Sequence, residues 1–288
     1  MIVASLDHVT KRYRSTTALD DLSLHVNSGE VLALLGPNGS GKTTAIGLLL
    51  GLRRPDAGRV RLLGADPSSL DSRRAIGVTP QELSFPGTLT VSEIVRFVQA
   101  HFAQPRERAG LLDEFGLTAL AQRETGGLST GQRRRLAIAL AFAGDPRVVV
   151  LDEPTTGLDT EARRGIWRTL RAYAAGGGTI ILTTHYLEEA EALADRVVLV
   201  NAGRVVAEGT VDFIRAHIAR REVRFRCAAL PPRRLAARFD VSGDRYTALS
   251  EDADGLIRDL VRGDVPFRDL EVFGASFEDA VVQLTEQR

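Results

Sequence analysis

Residues 36–44 read Gly36-Pro37-Asn38-Gly39-Ser40-Gly41-Lys42-Thr43-Thr44, between the apolar run Val31–Leu35 and a helical pattern over 44–50. A buried strand, a glycine-rich loop and a helix, in that order, are what a phosphate cradle (P-loop) needs. Glycine lets the backbone curl until its N–H groups converge on phosphate oxygens, and the helix turns its positive end to the same anions. Lys42, one of two lysines in the chain, is predicted to reach the β- and γ-phosphates, and the Thr43 hydroxyl to sit on Mg2+. Residues 36–44 are thus the predicted nucleotide contacts.

Outward from this loop, apolar runs recur at 148–151, 179–182 and 197–200, separated by helical patterns such as Leu136-Ala137-Leu140-Ala141 and Ile166-Trp167-Leu170. Buried strands alternating with helices predict an α/β fold with a mostly parallel sheet. Leu22, Leu24 and Val26 alternate with polar residues, and the turn at 27–30 reads as a hairpin feeding the buried strand 31–35. Thr90-x-x-Glu93 reads as a capping box, and 83–145 as a helical insertion. The sheet pattern ends near Gly209. The tail 210–288 reads as a small α+β domain, with strands at 222–226, 246–249 and near 270–273, and helices at 252–261 and 277–284.

Lys plus Arg and Asp plus Glu both number 37, so no net field draws the chain to nucleic acid or an anionic membrane. The arginine runs at 53–54, 133–135 and 220–221 read as solvated faces. A lone cysteine, Cys227, offers neither an internal disulfide nor a metal cluster and suits a reducing compartment. No stretch approaches the roughly 20 apolar residues of a membrane helix, and the first residues lack a signal-peptide pattern. The chain is expected to stay inside the cell without spanning the membrane.

The run 148–151 leads into Asp152-Glu153, two carboxylates at the mouth of a buried strand. One can serve the metal, and the other can orient or deprotonate an attacking water: Asp152 is the predicted Mg2+ partner and Glu153 the predicted base. Between the cradle and this pair stands Leu128-Ser129-Thr130-Gly131-Gln132, which resembles the signature motif of ATP-binding cassette (ABC) ATPases. The family usually has glycine where Thr130 stands. Gln81, after Val78-Thr79-Pro80, resembles the Q-loop glutamine, a metal and catalytic-site residue. Gly157-Leu158-Asp159 resembles the D-loop that crosses the subunit interface. His185 resembles the switch histidine that contacts the γ-phosphate. Tyr13 resembles the aromatic that stacks on adenine, although a tyrosine there is equally readable as a packed surface residue.

The resemblance covers about residues 1–209. It implies a P-loop ABC cassette with antiparallel N-terminal strands and a helical subdomain, whose ligands are ATP and Mg2+. Two cassettes are implied to pair head to tail, as a homodimer or with a related chain, so that Ser129, Gly131, Gln132 and Asp159 meet nucleotide held by the opposite subunit. A separately encoded membrane-spanning permease is the implied partner, which places the chain at the cytoplasmic face of the membrane. Leu270-Glu-Val-Phe273 and the helix from Phe277 resemble the C-terminal region of ATP-binding subunits of bacterial type 2 exporters, including daunorubicin-type drug exporters. The alternative is a soluble cassette ATPase acting on nucleic acid or ribosomes. A single cassette, a short interval from Gln81 to Leu128 and balanced charge count against it.

Overall fold

In the computed structural model, which describes residues 1–80, 84–216, 221–228, 239–250, 252–274 and 277–286, the chain divides into two compact units, Met1–Thr210 and Val211–Arg288. The first opens with two long strands, β1 (Ile2–Tyr13) and β2 (Thr16–Asn27). Leu22, Leu24 and Val26 are buried while Ser23 and His25 face out, the two-residue period of a strand covered on one side. β3 (Val31–Leu35) is buried at every position, as a strand covered on both faces must be. These two patterns place β2 and β3 in different sheets. β2 pairs antiparallel with β1, so the turn at 27–30 does not close a β2–β3 hairpin as the sequence suggested. It carries the chain from one sheet to the next, a choice the turn residues alone do not encode.

Then follow α1 (Lys42–Leu49), β4 (Ala57–Leu62), α2 (Leu70–Arg74) and β5 (Ile76–Thr79). β4 completes a three-stranded antiparallel sheet of order β2-β1-β4. The chain between β5 and β6 is helical in its described part: α3 (Val91–Gln99), α4 (Arg108–Glu114) and α5 (Thr130–Ala141), with two short 3-10 turns. α3 starts from the Thr90/Glu93 capping box. Next come β6 (Val148–Asp152), α6 (Thr160–Ala175), β7 (Thr179–Thr183), α7 (Leu187–Leu193), β8 (Arg196–Asn201) and β9 (Arg204–Gly209).

The main sheet has the order β5-β6-β7-β3-β8-β9, parallel throughout except for the β8–β9 hairpin. Its core joins both sheets through α1: Leu6, Leu22 and Leu24 from the antiparallel sheet meet Ile46, Leu48 and Leu49 of α1 and Leu32, Leu34, Val150, Ile181 and Val198 of the main sheet. A helix apolar on all sides belongs in such an interior. Because β3, β6 and β7 run parallel, their carboxyl ends open on one edge, where open α/β sheets bind ligands.

The second unit comprises α8 (Val211–Ala216), β10 (Arg221–Cys227), β11 (Asp240–Ser242), β12 (Arg245–Ser250), α9 (Ala253–Arg262), β13 (Phe267–Gly274) and α10 (Phe277–Glu286). Its antiparallel sheet has the order β11-β12-β10-β13. Val223, Phe225 and Cys227 of β10 point to one side and form a core with Tyr246, Leu256 and Leu260. β11, three exposed residues long, carries no apolar period by which the sequence could announce it.

Candidate active site

The loop after β3 closes tightly on its surroundings. A Cβ at Gly36 would come 2.0 Å from the Val200 carbonyl, and one at Gly41, whose φ is 110°, would lie 2.6 Å from the Ala18 carbonyl. Glycine at both positions therefore fixes how the loop seats between β8 and β2. Pro37, Asn38 and Gly39 form an exposed crest, and Thr43 is exposed at the start of α1. Ser40 is buried, and its hydroxyl makes no hydrogen bond with the protein, an unsatisfied polar atom inside the cradle that an oxygen-rich ligand suits. Thr44 is buried behind it.

Lys42, 9% exposed, donates from Nζ to the Gly36 carbonyl at 2.7 Å and the Pro37 carbonyl at 3.0 Å. Burial pulls its pKa below the ordinary lysine value, and the charges of Glu153 and Asp152 pull it back up. The two carboxylates at the end of β6 thus share the electrostatics of the cradle. Asp152 Oδ1 accepts a hydrogen bond from the Thr183 hydroxyl of β7.

Glu153 takes the left-handed backbone conformation, φ 49°, uncommon for a residue with a Cβ. Its N–H donates to the Thr183 carbonyl at 3.0 Å. Its carboxylate Oε1 lies 3.2 Å from His185 Nδ1, and Oε2 accepts from the Thr156 hydroxyl at 3.3 Å. The His185 ring lies against Tyr186, 4.1 Å between centroids, and the Arg163 guanidinium covers the other ring at 4.7 Å. The cradle and the Asp152, Glu153 and His185 positions therefore gather at one sheet edge.

Ser129 is the N-cap of α5, and with Gln132 it forms a reciprocal capping box: Gln132 N–H to Ser129 Oγ at 3.2 Å, Ser129 N–H to Gln132 Oε1 at 2.9 Å. A Cβ at Gly131 would touch Leu158 at 3.3 Å, so the turn opening α5 packs on the 157–159 segment of the same chain. Asp159 caps α6 through the Ala162 N–H. Among the described residues no hydrogen bond or ion pair joins Ser129, Gln132 or Asp159 to the cradle. Tyr13, 39% exposed at the end of β1, receives a hydrogen bond from Arg53 on its hydroxyl, with Arg53 and Lys11 both over its ring. Gln81 lies outside the described residues.

Two groups escaped the sequence reading. Arg134 is not the solvated residue that the run 133–135 suggested; it is 4% exposed, and its neighbours Arg133 and Arg135 are half-buried. Its guanidinium donates to the carbonyls of Pro80 at 3.0 Å, Asp152 at 2.9 Å, Pro154 at 3.2 Å and Glu153. Glu189, fully buried on α7, accepts from the Trp167 indole at 3.2 Å, so Trp167 is a half-buried donor rather than a core residue. Burial pushes the Glu189 carboxyl above the usual range, against the opposing influence of the neighbouring Thr184 and Thr155 hydroxyls, the Trp167 indole and the charge of Arg163. Three arginines in a row hide which one turns inward; α5 is apolar on more than one side, and that was the available signal.

Residues 19–156 match the family model for the ABC transporter. The chain is 38% identical over 271 residues to the Nod factor export ATP-binding protein I of Ralstonia nicotianae, covering 90% of this chain and 84% of the relative. The chain belongs to the ABC transporter family. A further relative is the daunorubicin/doxorubicin resistance ATP-binding protein of Streptomyces peucetius, 40% identical over 253 residues, which cover 85% of this chain and 76% of that protein. Among solved structures, the ATP-binding subunit of an ABC transporter superposes with a TM-score of 0.68 at 29% identity, over 75% of this chain and 92% of that one. An ATP-binding cassette captured as a dimer with ADP and Pi after hydrolysis superposes with a TM-score of 0.66 at 27% identity, over 72% and 98% of the two chains. As an ABC ATP-binding subunit the chain binds and hydrolyses ATP. No helix among its described residues is long and apolar enough to cross a membrane.

Proposed function

We propose that this ABC ATPase powers export through a separately encoded permease at the cytoplasmic face of the membrane, by closing and opening a dimer around ATP. Residues 1–209 act as the nucleotide-binding domain, and 210–288 as a small α+β domain attached to it. The observation that carries the catalytic part is the Glu153–His185 pair, 3.2 Å apart beside Lys42 at the carboxyl edge of the sheet. Glu153 takes a proton from the attacking water, and His185 holds that carboxylate and the γ-phosphate side of the site. Lys42 and the loop N–H groups of residues 36–44 bind the phosphates, and Tyr13 stacks on the adenine. Thr43, Asp152 and Gln81 are oxygen donors suited to Mg2+, which when bound supplies charge neutralisation on the outer phosphates. In this assignment Ser129, Gly131, Gln132 and Asp159 face nucleotide on the partner subunit, consistent with the lack, among the described residues, of any hydrogen bond or ion pair from Ser129, Gln132 or Asp159 to the cradle of their own chain.

Export rests on the two relatives, which are an export and a drug-resistance ATP-binding protein and whose similarity runs past the cassette over 85–90% of this chain. In a test of the clamp, E153Q with MgATP is expected to elute as a dimer in size exclusion with light scattering and as a monomer without nucleotide. A monomer at saturating MgATP would contradict the clamp.

A further inference from the structure

Arg134 has no role in the reading above, yet it is the most heavily bonded buried cation near the site. Four backbone carbonyls converge on one guanidinium: Asp152, Glu153 and Pro154, the three residues that leave β6, and Pro80, which follows β5. With an exposure of 4%, its charge has left water and is compensated by these carbonyls and by the neighbouring Asp152 and Glu153 carboxylates. The middle carbonyl belongs to Glu153, whose backbone is held at φ 49°, and the Glu153 N–H is fixed from the other side by Thr183. Both peptide groups flanking the proposed base are therefore anchored, one by β7 and one by α5. A planar fork with five donors can span that many acceptors; an ammonium, with three donors on one atom, cannot.

We propose that Arg134 is a positioning residue for ATP hydrolysis, holding the Glu153 backbone in its left-handed conformation so that the carboxylate faces the attacking water. Arg134 acts through Glu153, and the inference rests on the reading of Glu153 as the base. Because Arg134 lies on the helix that Ser129 opens, a displacement of α5 is passed to the Glu153 carbonyl, which links the residues facing the partner's nucleotide to the base of the chain's own site.

The test measures MgATP turnover and the Kd of a fluorescent ATP analogue for wild type, R134K, R134Q, E153Q and R134K/E153Q. A misaimed group costs on the order of 10²-fold when its position shifts by about 1 Å, so kcat of R134K and R134Q is expected to fall by about 10- to 100-fold. Nucleotide Kd is expected to stay within about twofold, because the bonds described for Arg134 run to the Pro80, Asp152, Glu153 and Pro154 carbonyls. The double variant is expected to be no slower than E153Q, since a residue acting through Glu153 has nothing left to position. A parallel loss of affinity and turnover, or rate losses that multiply in the double variant, would assign Arg134 to general packing and overturn the proposal. Wild-type turnover by R134K or R134Q would overturn it as well. If E153Q itself hydrolyses at the wild-type rate, the reading of Glu153 fails; slow E153Q with fast Arg134 variants defeats only the inference drawn here.

Discussion

At the scale of single residues, the site keeps charged groups where solvent would be favoured and makes them depend on one another. Lys42 is buried beside Asp152 and Glu153, and Glu153 holds a backbone angle that costs about 1–3 kcal/mol for a residue with a side chain. A hydrogen bond from the Glu153 N–H to the Thr183 carbonyl and one from Arg134 to the Glu153 carbonyl hold that conformation in place. Glu189 differs, because its carboxyl is buried and pushed toward the neutral form. A carboxyl whose folded pKa lies above its unfolded value takes up protons on folding, so stability falls as pH rises through the interval between the two. E189Q, which keeps the acceptor for Trp167 and cannot ionise, is therefore expected to melt no lower than wild type at pH 8. Its advantage should shrink as pH falls through that interval and vanish below the unfolded carboxylate range. Melting curves from pH 4 to 8 check this, and a Gln variant losing most stability at the alkaline end would reverse the sign. The sequence placed Asp152, Glu153 and His185 because each follows a buried strand. It could not place the φ of Glu153 or the burial of Arg134, which depend on contacts between β6, β7 and α5.

At the scale of elements, two helix starts divide the chemistry. α1 starts at its own cradle, whereas α5 starts at Ser129, with its N-cap side chain engaged by Gln132. An anion is favoured at such a start, where backbone N–H groups lack intrahelical partners. Filling it with a guanidinium on a long side chain leaves the cradle of the same chain untouched. S129R is thus expected to bind ATP as a monomer with about wild-type affinity, since among the described residues no hydrogen bond ties Ser129 to its own cradle, and to lose the ATP-driven dimer. Light scattering with MgATP reads this, and a stable S129R dimer would remove Ser129 from the interface. The capping boxes at Thr90 and Ser129 were legible because spacing alone defines them. The assignment of β2 and β3 to separate sheets was not, because the turn between them fits a hairpin equally well.

At the scale of the whole molecule, the sheet edge gathers residues as distant in sequence as Gly36 and His185. Parallel strands deliver the loops after β3, β6 and β7 to the same side. The strand and helix pattern that predicts this fold is carried by short buried runs, and those were visible. In the second unit the longer strands were visible in outline, while β11 was not, since three exposed residues leave no period. The balanced charge of the chain supplies no net field toward nucleic acid. Hydrolysis in the proposed mechanism turns on Glu153 as the group that assists proton transfer. The most direct measurement compares E153Q with wild type in single-turnover hydrolysis of MgATP, with ATP binding measured in parallel. A rate reduced by about 10² to 10⁴ with binding intact is predicted, the cost of losing a positioned general base. Hydrolysis near the wild-type rate would contradict it.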